Sequence, residues 1–160
     1  MSVYLVIKYL HVIGAAVLLG TGAGIAFFML LAHLRRDAAL VAGVARIVVI
    51  ADFAFTAAAV AAQPITGILL ARSVGLSLRD GWISWSIVLY VVTGAFWLPV
   101  IWMQIRMRDL ARGAAVSGQP LPERYYRIFR LWFAFGFPAF GAVLAIFWLM
   151  IAKPAISSIP

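Results

Sequence analysis

Two basic side chains near the start of the first long apolar stretch are well placed for chemistry. Lys8 and His11 are three residues apart, so they share one face of a helix. A lysine can extend its ammonium group along such a helix toward water, but the imidazole of His11 is too short to do so. His11 therefore needs a hydrogen-bond partner within the protein, or a ligand.

Partners for His11 are expected from the second and third apolar stretches. A second helix antiparallel to the first brings Gln63 and Thr66 to the depth of His11, and the following helix adds Tyr90. The predicted polar cluster is therefore Lys8, His11, Gln63, Thr66 and Tyr90. Two interpretations stay open: interhelical hydrogen bonds worth about 0.6–2 kcal/mol each, or a ligand-binding or catalytic site.

Asp52 and His33 are two further ionisable residues in apolar surroundings. Asp52 is expected about two turns into the second helix, as the only carboxylate at that depth. We expect it to pair with Arg46 or with a basic group of the third loop, or else to be protonated and hydrogen-bonded. A proton or cation path is the alternative. His33 is expected at the end of the first helix, beside Arg35 and Arg36.

The composition indicates a membrane protein. Of 160 residues, 66% are hydrophobic and only 11% are charged, and the mean hydropathy is +1.07. A soluble domain of this size exposes too much surface to hide such an excess. The net charge of +8 comes largely from arginines beside the apolar stretches. Anionic lipid explains these arginines, so we expect the bilayer and no nucleic acid as a partner.

Four apolar stretches predict an all-α fold, a four-helix transmembrane bundle forming one domain over residues 1–160. Each stretch supplies the roughly 20 residues that are needed to cross a bilayer. The expected helices cover about residues 4–33, 40–71, 82–108 and 128–152.

The distribution of basic residues predicts the orientation. Nine arginines flank the first and third loops, against four basic residues elsewhere. Because cytoplasmic loops carry the excess of Lys and Arg, both termini are expected on the outer, periplasmic side of a bacterial inner membrane.

Several chemistries are disfavoured by missing motifs. The chain has no cysteine, which excludes disulfides, thiolate metal sites and a cysteine nucleophile. HExxH, GxSxG and phosphate-binding glycine loops are also missing, so hydrolase and nucleotide-driven activities are not expected. His11 and His33 are about 33 Å apart on one helix, so they cannot ligate one haem from both sides within a chain.

Several segments resemble a family of small bacterial integral membrane proteins known only as a domain of unknown function. They are KYLHVIG at 8–14, LGTG at 19–22, QPITG at 63–67, GAFWLPV at 94–100 and WFAFGFPAF at 132–140. This resemblance covers essentially the whole chain and implies no particular activity.

The first helix alone is also similar to HemJ-type protoporphyrinogen oxidases and to the copper-resistance D membrane domain, through Lys-x-x-His near its start. The HemJ type has a second histidine near the end of that span, as His33 is here. This similarity implies b-type haem on His11, with Lys8 as a partner for a porphyrin carboxylate. Other HemJ motifs do not occur, so haem binding is carried over and the oxidase activity is not.

Three functions therefore remain in view, and whether the protein is an enzyme stays open. The first is a haem-binding protein of redox or haem metabolism. The second is a small-solute or proton transporter with Asp52, His11 and Gln63 along its path. The third is a non-catalytic subunit or assembly factor, docked through Gly20 and Gly24 onto a second copy or a larger membrane complex.

Overall fold

The computed structural model describes residues 2–157 as a set of long helices. The helices are α1 (Val3–Arg35), α2 (Ala38–Ala51), a π-helix (Asp52–Thr56), α3 (Ala57–Ser73), α4 (Gly81–Ser117) and α5 (Glu123–Ala152). Because α2, the π-helix and α3 are continuous, they form one span, Ala38–Ser73. The described residues thus contain four helices that are each long and apolar enough to cross a membrane, and no strand. This confirms the predicted fold class.

The helices extend beyond the predicted bounds at the end where the arginines cluster. The second span begins at Ala38, where the Asp37 side chain accepts a hydrogen bond of 2.7 Å from the backbone N–H of Leu40. The third continues to Ser117 and ends where Gly118 adopts a left-handed conformation (φ 63°). Residues 106–117 favour helix because they are rich in Arg, Met, Leu and Ala. The helix therefore extends beyond its apolar segment.

The bundle is closely packed at this arginine-rich end, which carries the connections 36–37 and 118–122. Side chains from α1, α2, α4 and α5 meet there in one apolar core. Its fully buried members include Met29, Val41, Met107 and Tyr125.

The opposite end, called the terminal end because the first and last described residues, 2 and 157, lie there, is more open. Here α3 packs mainly against α1, while α5 packs against α4. The two pairs make few contacts with each other, and a cavity lies between them.

The C-terminal segment closes over the beginning of α4. The ammonium group of Lys153 lies 5.7 Å from the centre of a Trp82 ring. The backbone carbonyl of Ile156 lies so close to Gly81 that a Cβ at this position would overlap it. Glycine at the start of α4 therefore permits this close approach.

The glycine face of α1 does not pack inside the bundle. A Cβ added at Gly20 would have no atom of residues 2–157 within 4 Å, and at Gly24 it would touch only Phe28 of the same helix. The small residues on this face are consequently directed away from the other spans.

Candidate functional site

His11 is held in the contact between α1 and α3. Its Nδ1 lies 2.8 Å from Oγ1 of Thr66, and the side-chain amide of Gln63 donates a 2.8 Å hydrogen bond to its backbone carbonyl. Two glycines make room for these groups. A Cβ at Gly14 would lie 2.5 Å from Nε2 of Gln63, and one at Gly67 would lie 3.3 Å from Cε1 of His11. The predicted partnership of His11 with Gln63 and Thr66 is present in the structure.

The hydrogen bonds of Thr66 favour one tautomer of His11. Its hydroxyl donates to the carbonyl of Ala62 at 2.8 Å, as threonines in membrane helices commonly do. A hydroxyl has a single proton, so its oxygen is left to accept from the imidazole. Nδ1 of His11 then carries the ring proton, and Nε2 keeps a lone pair.

Lys8 and Tyr90 do not join this cluster. Lys8 is exposed, and its ammonium group lies 5.7 Å from the ring centre of Tyr4, one turn nearer the terminal end. The hydroxyl of Tyr90 donates to the backbone carbonyl of Val60, which links α4 to α3. Lysine reaches toward water as its flexible stem permits, and the tyrosine bonds to α3 about one turn before Gln63, nearer the start of that helix.

Asp52 lies deeper than predicted. It follows 14 residues of α2, so it lies about 21 Å from the start of a 36-residue span and close to its middle. The prediction of two turns was an undercount, because Asp52 lies 12 residues, more than three turns, beyond the predicted helix start at residue 40, and the helix begins earlier still, at Ala38.

The expected ion pair of Asp52 with Arg46 is not formed, and this prediction was wrong. Across residues 2–157 the structure shows one ion pair, at 2.8 Å between the neighbouring Arg108 and Asp109. Arg46 is exposed. It lies six residues before Asp52, which places the two side chains about 120° apart around the helix axis. Asp52 is only 3% exposed, and its carboxyl accepts one long hydrogen bond of 3.5 Å from the indole N–H of Trp97.

The π-helix turns Asp52 and Thr56 into the bundle together. Both are buried, while the three residues between them are exposed. Thr56 and Gln104 face the carboxyl of Asp52 beside Trp97. A single π-helical turn inside an α-helix is frequent at functional sites, because the regular backbone ladder is interrupted there.

A cavity of about 420 Å³ begins at this group of residues and is walled by all four spans. The face of α1 below His11 contributes small residues, among them Ala15 and Gly22, although the His11 side chain itself is not on the wall. Aromatic side chains of α4 and α5 form much of the opposite wall. The polar residues of the wall are Asp52, Thr56, Gln63, Tyr90, Thr93, Trp97, Gln104 and Trp132.

Three polar atoms beside the cavity lack hydrogen-bond partners. They are Oγ1 of Thr56, Oε1 of Gln104 and Nε1 of Trp132, each buried and without a partner among residues 2–157. Buried polar atoms are usually paired, and an unpaired one destabilises a protein by about 1–3 kcal/mol. Together with Asp52 they form a polar group at the arginine-rich end of the cavity, which we call the Asp52 cluster: Asp52, Thr56, Trp97, Gln104 and Trp132.

Most of the Asp52 cluster was missed by the sequence reasoning. Gln104 carried a usable signal, since an amide at membrane depth is costly, but the partner predicted from the third helix was Tyr90, near its start. The two tryptophans are ordinary residues of apolar spans. Thr56 follows Asp52 by four residues, a spacing that places both side chains on one face of a helix, so this pair could have been recognised from the sequence.

His33 lies far from both sites, in the packed arginine-rich half. Its ring is stacked on Phe129, with centroids 3.6 Å apart and planes at 3°, and its Nδ1 lies 3.4 Å from the hydroxyl of Tyr125. Within the described residues, no group of three or more His, Asp or Glu side chains is arranged to hold a metal ion.

Comparison with known proteins gives one match. The chain matches the family described as predicted integral membrane protein (DUF2269) over residues 5–154. This agrees with the resemblance of the whole chain to a small membrane family of unknown function, and it adds no support to the HemJ likeness. No curated protein and no solved structure matches the chain. The match covers nearly the entire sequence, so the chain belongs to the DUF2269 family of integral membrane proteins.

Proposed function

We propose that this protein binds a small, mostly apolar molecule in the cavity between its spans, with the polar part of that molecule held by the Asp52 cluster. One observation carries the proposal: a buried carboxyl and three unpartnered polar atoms share one end of a mostly apolar cavity. A ligand that pairs with these atoms would remove their desolvation cost.

The size and lining of the cavity support the proposal. Small-molecule sites in proteins are commonly 300–1,000 Å³, mainly apolar, with a few polar groups that orient the ligand. A cavity of about 420 Å³ falls in this range. Of the three residues expected along a transport path, Asp52 and Gln63 are on its wall and His11 is not. This favours a solute-binding or transport role centred on Asp52.

A binding experiment with a matched pair of α5 variants tests this proposal. Gly136 lies on the cavity wall, whereas Gly141 does not, and a Cβ at either position meets no atom of the described chain within 4 Å. Gly136→Phe should fill the cavity, and Gly141→Phe should place the same ring outside it. The probes are three 4-phenylbutyl compounds, an alcohol, an amine and a carboxylate, and the readout is the thermal unfolding temperature in mild detergent.

We expect at least one probe to raise the unfolding temperature of the wild type and of Gly141→Phe, and to leave Gly136→Phe unchanged. The proposal fails if no probe stabilises the wild type. It fails equally if a probe stabilises all three proteins alike, because binding would then occur outside the cavity.

Haem binding at His11 is a second candidate, which one specific observation favours. The imidazole is oriented through Nδ1 by Thr66, as the second hydrogen bond of an axial histidine commonly is, and this leaves the lone pair of Nε2 for a metal. His11 would hold the haem iron, and Lys8, whose ammonium group now lies over Tyr4, would turn to meet a porphyrin carboxylate. Haem would supply one-electron redox chemistry.

An absorption spectrum tests the haem candidate directly. Wild-type protein purified in mild detergent and supplied with hemin should show a Soret band and sharp α and β bands after reduction with dithionite. His11→Ala should lose these bands, while Lys8→Ala should keep them. A wild type without a Soret band after hemin is added would eliminate this candidate.

A further inference from the structure

We infer that the ligand of the cavity is a hydrophobic amine, whose protonated nitrogen binds at Asp52 and whose apolar part lies along the aromatic wall. The inference rests on the proposed function, and it names the chemical class of the ligand.

The charge of the cavity favours a cation. Asp52 is the only acidic residue among the described residues that line it, and no Lys, Arg or His side chain lines it. No basic group of residues 2–157 forms an ion pair with Asp52. A buried carboxylate without a partner is costly, and a ligand ammonium would supply the missing opposite charge. An anionic ligand would instead be repelled by it.

The hydrogen-bonding capacity of the Asp52 cluster favours a donor group. Three of its members offer acceptor oxygens: the carboxyl of Asp52, Oγ1 of Thr56 and Oε1 of Gln104. Its donors include the indole of Trp132, the amide of Gln104 and the hydroxyl of Thr56. The last two face the carboxyl of Asp52, so all three oxygens keep a lone pair free. A primary ammonium has three N–H donors, one for each of these oxygens, whereas a hydroxyl has one. The amine therefore satisfies more of the cluster than an alcohol does.

The aromatic lining fits the remainder of such a ligand. Trp97, Trp132, Tyr90 and Phe133 line the cavity, and indole rings attract cations through their π faces. A desolvated cation–π contact is worth about 2 kcal/mol in favourable cases, so the rings reinforce the preference for a cation. They also bury the apolar part of the molecule.

The packing of the spans gives a hydrophobic ligand a route from the bilayer. At the terminal end, the α1–α3 pair and the α4–α5 pair are only loosely joined. A molecule that partitions into the membrane can therefore reach the cavity laterally, between the two pairs.

Calorimetric titration with two probes that share the same tail tests the inference. The probes are 4-phenylbutylamine and 4-phenylbutanol, added to the purified full chain in dodecyl maltoside at pH 7. The variants are Asp52→Asn, which removes the charge at constant shape, and Asp109→Asn, which removes the same charge from an exposed position outside the cavity. Gln104→Leu is a further variant that removes one acceptor and keeps Asp52.

We expect the amine to bind wild type and Asp109→Asn at least about tenfold more tightly than the alcohol does, because a charge-assisted hydrogen bond is worth more than a neutral one. Asp52→Asn should lose this preference, and Gln104→Leu should weaken amine binding several-fold. Gln104→Leu keeps the inference testable if Asp52→Asn does not fold.

The outcomes separate the two proposals. If amine and alcohol bind wild type equally, and the loss of Asp52 changes neither, the cavity binds a ligand but the amine assignment is overturned. If neither probe binds wild type, the amine assignment is overturned together with the proposed function.

Discussion

At the scale of single residues, His11 and Asp52 differ in how completely their polar atoms are hydrogen-bonded. The imidazole of His11 donates a short hydrogen bond to Thr66, and the backbone carbonyl of His11 accepts one from Gln63. Asp52 has one long hydrogen bond, and unpartnered atoms lie around it. Short, complete hydrogen bonds are typical of a structural contact between helices. Unpartnered buried polar atoms are typical of a ligand-binding site.

The His11 contact predicts a clear difference between two glycine variants of α1. Gly14→Ala should displace the amide of Gln63 from the His11 carbonyl and destabilise the fold by about 0.6–2 kcal/mol, the usual worth of an interhelical hydrogen bond. The alanine would approach the flexible end of Gln63, so the side chain moves and the fold persists. Unfolding by SDS titration in mixed micelles measures the change.

Gly20→Ala is the matched control for this prediction, because its Cβ meets no atom of residues 2–157. Its stability should equal or slightly exceed that of the wild type, since alanine favours helix over glycine. Equal losses in Gly14→Ala and Gly20→Ala would show that the Gln63 contact contributes nothing specific.

The isolation of Asp52 from basic residues also predicts a stability effect. Removing one partner of a buried ion pair destabilises a protein by about 3–5 kcal/mol. Asp52 has no such partner in the described part of the chain, so Asp52→Asn should change the unfolding free energy by less than about 1 kcal/mol. The same SDS titration measures it, and a loss in the ion-pair range would contradict the structure around Asp52.

Residue-level prediction from the sequence succeeded where helix geometry alone decided the result. Counting turns on antiparallel spans placed Gln63 and Thr66 beside His11. It failed for Lys8, whose flexible side chain extends away from that cluster, and for Asp52, whose depth was undercounted. The neighbours of Asp52 on α4 and α5 depend on how the spans pack, which turn counting along one helix does not give.

At the scale of elements, the π-helix is the irregular turn in the wall of the cavity. It adds a residue to a turn of the second span, and its first and last residues, Asp52 and Thr56, are both buried. Irregular turns of this kind reduce backbone hydrogen bonding, and their retention is usually associated with function.

Deleting one residue from the π-helix should leave the stability of the fold unchanged while it weakens probe binding. Without the exposed Ala54, the turn can revert to α-helix, with α3 kept in nearly the same register. We expect a fold at least as stable as the wild type and an intact contact between His11 and Thr66. Probe binding should weaken several-fold, because Thr56 is shifted relative to Asp52 although both stay on one face of the helix. Thermal unfolding and calorimetric titration measure the two properties.

Deleting Ala58 from the regular α3 helix provides the comparison. Here the deletion turns the rest of α3 by about 100°. Gln63 and Thr66 then lose their hydrogen bonds to His11 of α1, and the stability should fall. If the Ala54 deletion is destabilised to the same extent, the π-helix is a structural requirement and not a functional one.

At the scale of the whole molecule, the sequence predicted the number of spans but not the gap between them. Hydropathy identifies each span because lipid is its solvent. It does not identify which spans pack together, since helices that are apolar all round have no single face to bury. The small number of contacts between the α1–α3 pair and the α4–α5 pair was therefore not predictable from the sequence.

The orientation of the bundle remains a prediction, and the absence of natural cysteine makes it simple to test. Ser77→Cys lies in the 74–80 connection of the terminal end, and Gln119→Cys lies in the connection of the arginine-rich end; both positions are exposed. With both termini outside, a membrane-impermeant maleimide should label Ser77→Cys in intact spheroplasts. It should label Gln119→Cys only after lysis, and the reverse pattern would contradict the orientation.

Native mass spectrometry of the detergent-solubilised protein with 4-phenylbutylamine tests the central claim, a single binding site inside the bundle, most directly. We predict one bound amine per chain for wild type and Gly141→Phe, and none for Gly136→Phe at the same concentration. Equal binding by all three proteins, or no binding by the wild type, would contradict the assignment of the cavity as the binding site.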